Sequence, residues 1–94
     1  MKLNLTGIGS FKDIQRVEAK IRFEWDSGVL SFYKEISPDA IITVASQNKL
    51  TASPQAQMEY WFNITNEQKH LIGMFSIIGD KILVLESDFG KRKK

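Results

Sequence analysis

The sequence predicts an all-β domain: a small antiparallel β-sandwich or partly open β-barrel of about seven strands, with no long helix. Three observations predict it. Arg16 to Trp25 alternates apolar and charged residues without a break, the period of two that gives a strand one buried face. Short apolar runs recur between turn signals such as Ser37-Pro38-Asp39 and Asn66-Glu67-Gln68. The runs on either side of Gly79-Asp80 are apolar on both faces, as strands covered from two sides are.

The first predicted strand carries Leu3 and Leu5 between Lys2, Asn4 and Thr6 and ends at Gly7-Ile8-Gly9, where a chain leaving a sheet needs a residue at positive φ. In the second, Val17, Ala19, Ile21, Phe23 and Trp25 face the core, while Arg16, Glu18, Lys20, Arg22 and Glu24 form a solvated ladder whose signs cancel. Asp26-Ser27-Gly28 then turns the chain into a third strand, Val29 to Ile36. An even loop, Ser27-Gly28 or Asp26 to Val29, keeps the faces matched, because a one-residue slip flips every side chain. It sets Trp25 opposite Leu30, Phe23 opposite Phe32 and Lys20 opposite Glu35, with Tyr33 beside Arg22 outside and Lys34 as the one inner charge.

Ala40 to Ser46 follows as a β-branched strand covered on both faces. Gln47 to Gln57 loses its period and is predicted as a loop with at most one helical turn, started at Ser53-Pro54. Next, Met58, Tyr60, Phe62 and Ile64 alternate with Glu59, Trp61, Asn63 and Thr65, which makes a strand with one core face. The last two strands form a hairpin around Gly79-Asp80, a type II′ signal. In the first of them Ile72, Met74 and Ile78 lie on one side and Leu71, Phe75 and Ile77 on the other. Both strands are expected in the middle of the structure.

The 94 residues make one domain, residues 1–90, followed by a basic tail, 91–94, expected to be disordered. No cysteine is present, which removes disulfides, thiolate nucleophiles and Cys-built zinc sites. No stretch has the apolar length of a signal peptide or a membrane span, so a cytoplasmic location without membrane contact is expected. Asn4-Leu5-Thr6 and Asn63-Ile64-Thr65 then read as strand sequence and not as glycan acceptors. The net charge of +2 belongs to the tail: without Lys91, Arg92, Lys93 and Lys94, the 13 basic residues fall to nine against 11 acidic ones. A nucleic-acid module carries its positive charge on the folded surface, which this distribution disfavours.

No catalytic constellation emerges, so neither an enzyme nor a cofactor or metal is expected. His70 is the only histidine and reads as a strand-end residue, with no carboxylate at a metal-ligand spacing. Asp26, Asp39 and Asp80 sit in turns beside Gly or Pro, where they bond local backbone. Gly7-Ile8-Gly9 lacks the third glycine and the helix of a nucleotide fingerprint. Ser31 and Lys34 match a Ser-x-x-Lys pattern, but positions three apart on a strand point to opposite faces.

What remains is aromatic. Trp61 shares its face with Glu59 and Asn63, and Tyr33 pairs with Arg22 in the predicted register. Aromatic groups on outward faces beside charges are the composition of protein interfaces. Trp61, Tyr33, Arg22 and Glu59 are therefore the candidate partner-binding residues. The sequence predicts a non-enzymatic β domain that binds another protein or, as a homodimer, its own copy, in the manner of inhibitors, accessory subunits and immunity-type proteins. A second reading is a single-stranded nucleic-acid binder that stacks bases on Trp61 and Tyr33 and uses Lys91, Arg92, Lys93 and Lys94 as a tether. A third is a barrel around a small apolar ligand, although so many large side chains leave little interior room.

Overall fold

The computed structural model describes residues 1–50 and 57–85. Seven elements follow one another: β1 (Lys2–Asn4), α1 (Phe11–Ser27), α2 (Ser31–Ile36), β2 (Ile41–Leu50), β3 (Gln57–Thr65), β4 (Leu71–Ile78) and β5 (Lys81–Leu85). The strands form one mixed sheet in the order β1-β2-β3-β4-β5. β1 runs parallel to β2, joined to it through the two helices, and β2 to β5 form an antiparallel meander. Strands thus supply most of the regular structure, as the sequence predicts. The expected seven-strand sandwich or barrel is replaced by a single open sheet, and no closed barrel of the kind an enclosed ligand needs forms among the described strands.

The correction falls on residues 11–36, where a helical pair stands in place of the expected strand hairpin. Alternation through Arg16 to Trp25 satisfies two periods at once. Val17, Ile21 and Trp25 are four apart, so they lie on one helical stripe with the partly covered Ile14, and all three are buried. A helix needs only those three of the five alternating apolar residues; Phe23 is left 62% exposed. The charges settle the competition locally. Glu18 accepts from Arg22 Nε at 3.0 Å and Glu24 from Lys20 Nζ at 3.0 Å, both one helical turn apart, a pairing that supports a helix and has no counterpart along a strand. Ser10 caps the start, its Oγ accepting the Asp13 N–H at 3.2 Å.

At the other end Glu24 organises the junction between the helices. Its carbonyl accepts the N–H groups of Gly28 and Leu30, each at 3.0 Å, and its carboxylate accepts the Val29 N–H at 2.9 Å. That backbone hydrogen bond, against the opposing effect of burial and with help from Lys20, holds the Glu24 carboxyl below its usual range. Leu30 and Tyr33 then enter the core from α2 while Val29, Phe32 and Ile36 face outward. Lys34, expected as an inner charge, is exposed and lies 3.8 Å from Asp26.

Both helices pack on one face of the sheet, against Ile42, Tyr60, Phe62, Ile64, Phe75 and Ile77. Phe62 and Phe75, paired across β3 and β4, stack with ring centroids 4.9 Å apart. Tyr60 reaches this layer near Asp13 and Arg16, and burial pushes its phenol up. Arg16 Nη1 donates to the Gly79 carbonyl, tying α1 to the β4–β5 turn. The β3 alternation is as predicted: Tyr60, Phe62 and Ile64 are buried, and Glu59, Trp61 and Asn63 are half-buried on the opposite face.

Two bulges adjust the faces. Between Val44 and Ser46 the β2 register shifts by one residue, which turns Gln47 toward the helix side, where its Nε2 donates to the Gly7 carbonyl. Gly7 itself takes φ 110°, the positive φ expected of that turn. Between Ile64 and Thr65 a second shift sets Leu71 opposite Thr65, so Ile72, not Leu71, packs toward the core. The strand of Ala40–Ser46 extends to Leu50, and the next begins at Gln57. The rest of the predicted loop, residues 51–56, and the tail of Lys91, Arg92, Lys93 and Lys94 lie outside the described residues.

Candidate functional site

One face of the sheet is covered by helices, and among the described residues the other is covered by nothing. Its composition follows from register. Glu59, Ile78 and Lys81 lie side by side across β3, β4 and β5; the next row is Trp61, Ser76 and Leu83, and the third is Asn63, Met74 and Leu85. On the β2 side the same rows continue with Asn48, Ser46 and Thr43. The face is therefore polar over β2 and mainly apolar over β4 and β5, where Ser76 and Lys81 are the polar members.

Exposure matches this division. Leu83 is 58% and Leu85 47% exposed, and with Lys81 they are the β5 residues that point away from the helices. Trp61, Met74 and Ile78 are half-buried among their neighbours. Ser76 is only 1% exposed, and its Oγ has no hydrogen-bond partner among the described residues. A buried hydroxyl without a partner is a cost to the fold. Beside it lies a shallow depression of 460 Å³ lined by Gln57, Ile78, Lys81 and Leu83 among others.

Of the four predicted partner-binding residues, the structure brings two together on this face. Trp61 and Glu59 lie two apart on β3, and Glu59 Oε1 accepts from Asn48 Nδ2 at 3.3 Å. The other two are placed elsewhere. Tyr33 is 5% exposed and belongs to the core, because α2 and not a strand carries it. Arg22 is exposed on α1 and bound to Glu18. Their expected strand pairing falls with the strand. Sequence reasoning missed Met74, Lys81, Leu83 and Leu85, although the two-sided apolarity of β4 and the alternation of Lys81, Leu83 and Leu85 with Ile82 and Val84 were there to find them.

Comparison of the chain with protein-family models, curated proteins and solved structures returns no match. Function is therefore read from the surface chemistry.

The remaining polar groups are local. His70 is exposed at the end of the β3–β4 turn, where its N–H donates to Asn66 Oδ1 at 2.9 Å. Lys69, just before it, takes φ 69°. Asp80 lies in the two-residue β4–β5 turn, in which Gly79 alone has positive φ, at 62°, the requirement of the predicted type II′ turn. The Asp39 carboxyl beside Glu67 holds the Glu67 carboxyl above the usual range. Among the described residues no group of three or more His, Cys, Asp or Glu side chains could hold a metal, and no helix is long and apolar enough to cross a membrane.

Proposed function

We propose that this chain is a small non-enzymatic domain that acts by binding another protein or its own copy through the face around Trp61, as an inhibitor, accessory subunit or immunity-type protein does. The observation that carries the proposal is Trp61 itself, a half-buried indole on the face away from the helices, set between Ser46 and Ser76 across the strands, with Met74, Ile78 and Leu83 on the strands beyond and charge only at one end, Glu59 and Lys81. Large aromatic groups in such a setting are the anchors of protein interfaces, because they bury much area for little lost side-chain freedom. Met74 and Ile78 on β4 and Leu83 and Leu85 on β5 supply the apolar area, and polar β2 forms its rim.

The test is to replace Trp61 by a photoreactive phenylalanine analogue and irradiate cells that express the chain, with the exposed Gln15 on α1 as the control position. A protein adduct formed at position 61 and not at 15 is the expected result. An adduct with single-stranded nucleic acid that is lost as salt rises would transfer the function to base stacking. Absence of any adduct at position 61 would remove the face as a binding surface.

A further inference from the structure

We propose that the occupant of this face is a second copy of the chain, packed sheet to sheet about a two-fold axis that runs along β4. The inference rests on the protein-binding reading above and adds the identity and geometry of the partner.

Trp61 on β3, Met74 and Ile78 on β4 and Leu83 and Leu85 on β5 are the apolar residues of the three rows, with Ser76 between Trp61 and Leu83 and Asn63 beside Met74, whereas Thr43, Ser46 and Asn48 on β2 are all polar. A second sheet laid over β4, with strands aligned and about 10 Å away, would cover β3, β4 and β5 and leave β2 in water. That is the division of polarity the face has.

Charge supplies the second, independent argument. An axis parallel to the strands and above β4 keeps each row at its own height and exchanges β3 with β5. Glu59, on β3, therefore faces Lys81 of the second copy, and Lys81 faces its Glu59. These are the only charged residues in the three rows, they lie in the same row on either side of Ile78, and they have opposite sign. Two ion pairs form by symmetry alone. Shifting the axis to β3 would instead set Lys81 over a strand beyond β2 and bring Leu83 over Ser46's outer side, losing both complementarities.

The sequence pattern agrees. β4 is apolar on both sides, the pattern of a strand covered twice, and the helices cover it once. In the dimer the two sheets would form the two-layer sandwich that this pattern predicts. The contact is small, three strands about 4.8 Å apart over about eight residues. It falls in the class of weak interfaces, with dissociation in the micromolar range or above.

Sedimentation equilibrium of the full chain, from about 10 µM to about 1 mM, tests this. A monomer–dimer equilibrium is expected, with Glu59→Lys and Lys81→Glu each weakening it about tenfold by facing like charges, and a mixture of the two variants recovering it. Recovery on mixing requires that the pairs be between copies. Met74→Arg, at the axis, should leave only monomer, with circular dichroism confirming that each variant folds. A chain that is monomeric throughout, or a dimer indifferent to both charge reversals, overturns the proposal. The crosslinking at position 61 separates the two failures: a monomer that still captures a different protein there loses only the second copy, and one that captures nothing loses the binding surface as well.

Discussion

The ring of Tyr33 rests directly on the backbone of Gly73: a Cβ at position 73 would lie 2.5 Å from Cε1 and 2.7 Å from Oη of the tyrosine. This contact joins α2 to the first half of β4 and explains a glycine inside a strand, where glycine otherwise weakens a sheet. Gly73→Ala is expected to displace the buried ring and destabilise the fold by about 1–3 kcal/mol. Urea denaturation followed by circular dichroism would read it as a lower midpoint with an unchanged slope.

A second glycine sets the path between the helices. A Cβ at Gly28 would come within 2.8 Å of Glu24 Cα, backbone that has little freedom to withdraw. Gly28→Ala should therefore cost about 1–3 kcal/mol, whereas Gly9→Ala, with no atom of the described residues within 4 Å of its Cβ, should change stability by less than about 0.5 kcal/mol. Thermal melts of the two variants side by side would show the contrast. Equal melting temperatures would mean that Gly28 is not the constraint.

Glu24 links the same junction to pH. Its folded-state carboxyl is held below the ordinary value of 4.5, first by the Val29 N–H and then, against burial, by Lys20. A lowered acid contributes stability that is fully present above the unfolded value and is lost as pH falls through the folded one. Stability should therefore decline on acidification below about 4.5, and Glu24→Gln should flatten that decline while lowering stability at pH 7 by about 1–3 kcal/mol. Denaturation midpoints from pH 7 downward would check the slope; a variant with the wild-type slope would assign the acid sensitivity elsewhere.

Ser76 predicts the opposite sign. Its Oγ is buried between the Trp61 and Leu83 strands without a partner among the described residues, so Ser76→Ala removes an unmet hydrogen-bonding group and little volume. The variant should be as stable as the wild type or more so, by up to about 1 kcal/mol. A loss of stability in urea would show that the hydroxyl is satisfied.

Legibility from sequence differed by segment. The β3 faces, the β3–β4 and β4–β5 turns and the positive φ of Gly7 follow from alternation and turn chemistry, which act over a few residues. Arg16 to Trp25 could not be assigned by period, since every fourth apolar residue is also every second one. Its helix signals were the Ser10 cap, the charge pairs one turn apart and Gly28, each weak alone. Once that segment became helical, Tyr33 moved from the expected surface to the core, and half of the candidate site moved with it.

By itself the sequence determined the four-stranded meander's central alternation, the absence of cysteine chemistry, the confinement of excess positive charge to the last four residues, and Trp61 with Glu59 on a non-core face. Tertiary structure alone decided which covering the sheet receives. A strand pair and a helix pair of residues 11–36 bury the same Trp25 and Leu30, and local propensities separate them by little. The helices prevail by laying Ile14, Val17, Ile21 and Trp25 as one stripe on the sheet, a packing gain that exists only when all the strands are in place. Because both helices occupy one side, the rows from Glu59 to Lys81, Trp61 to Leu83 and Asn63 to Leu85 become a surface.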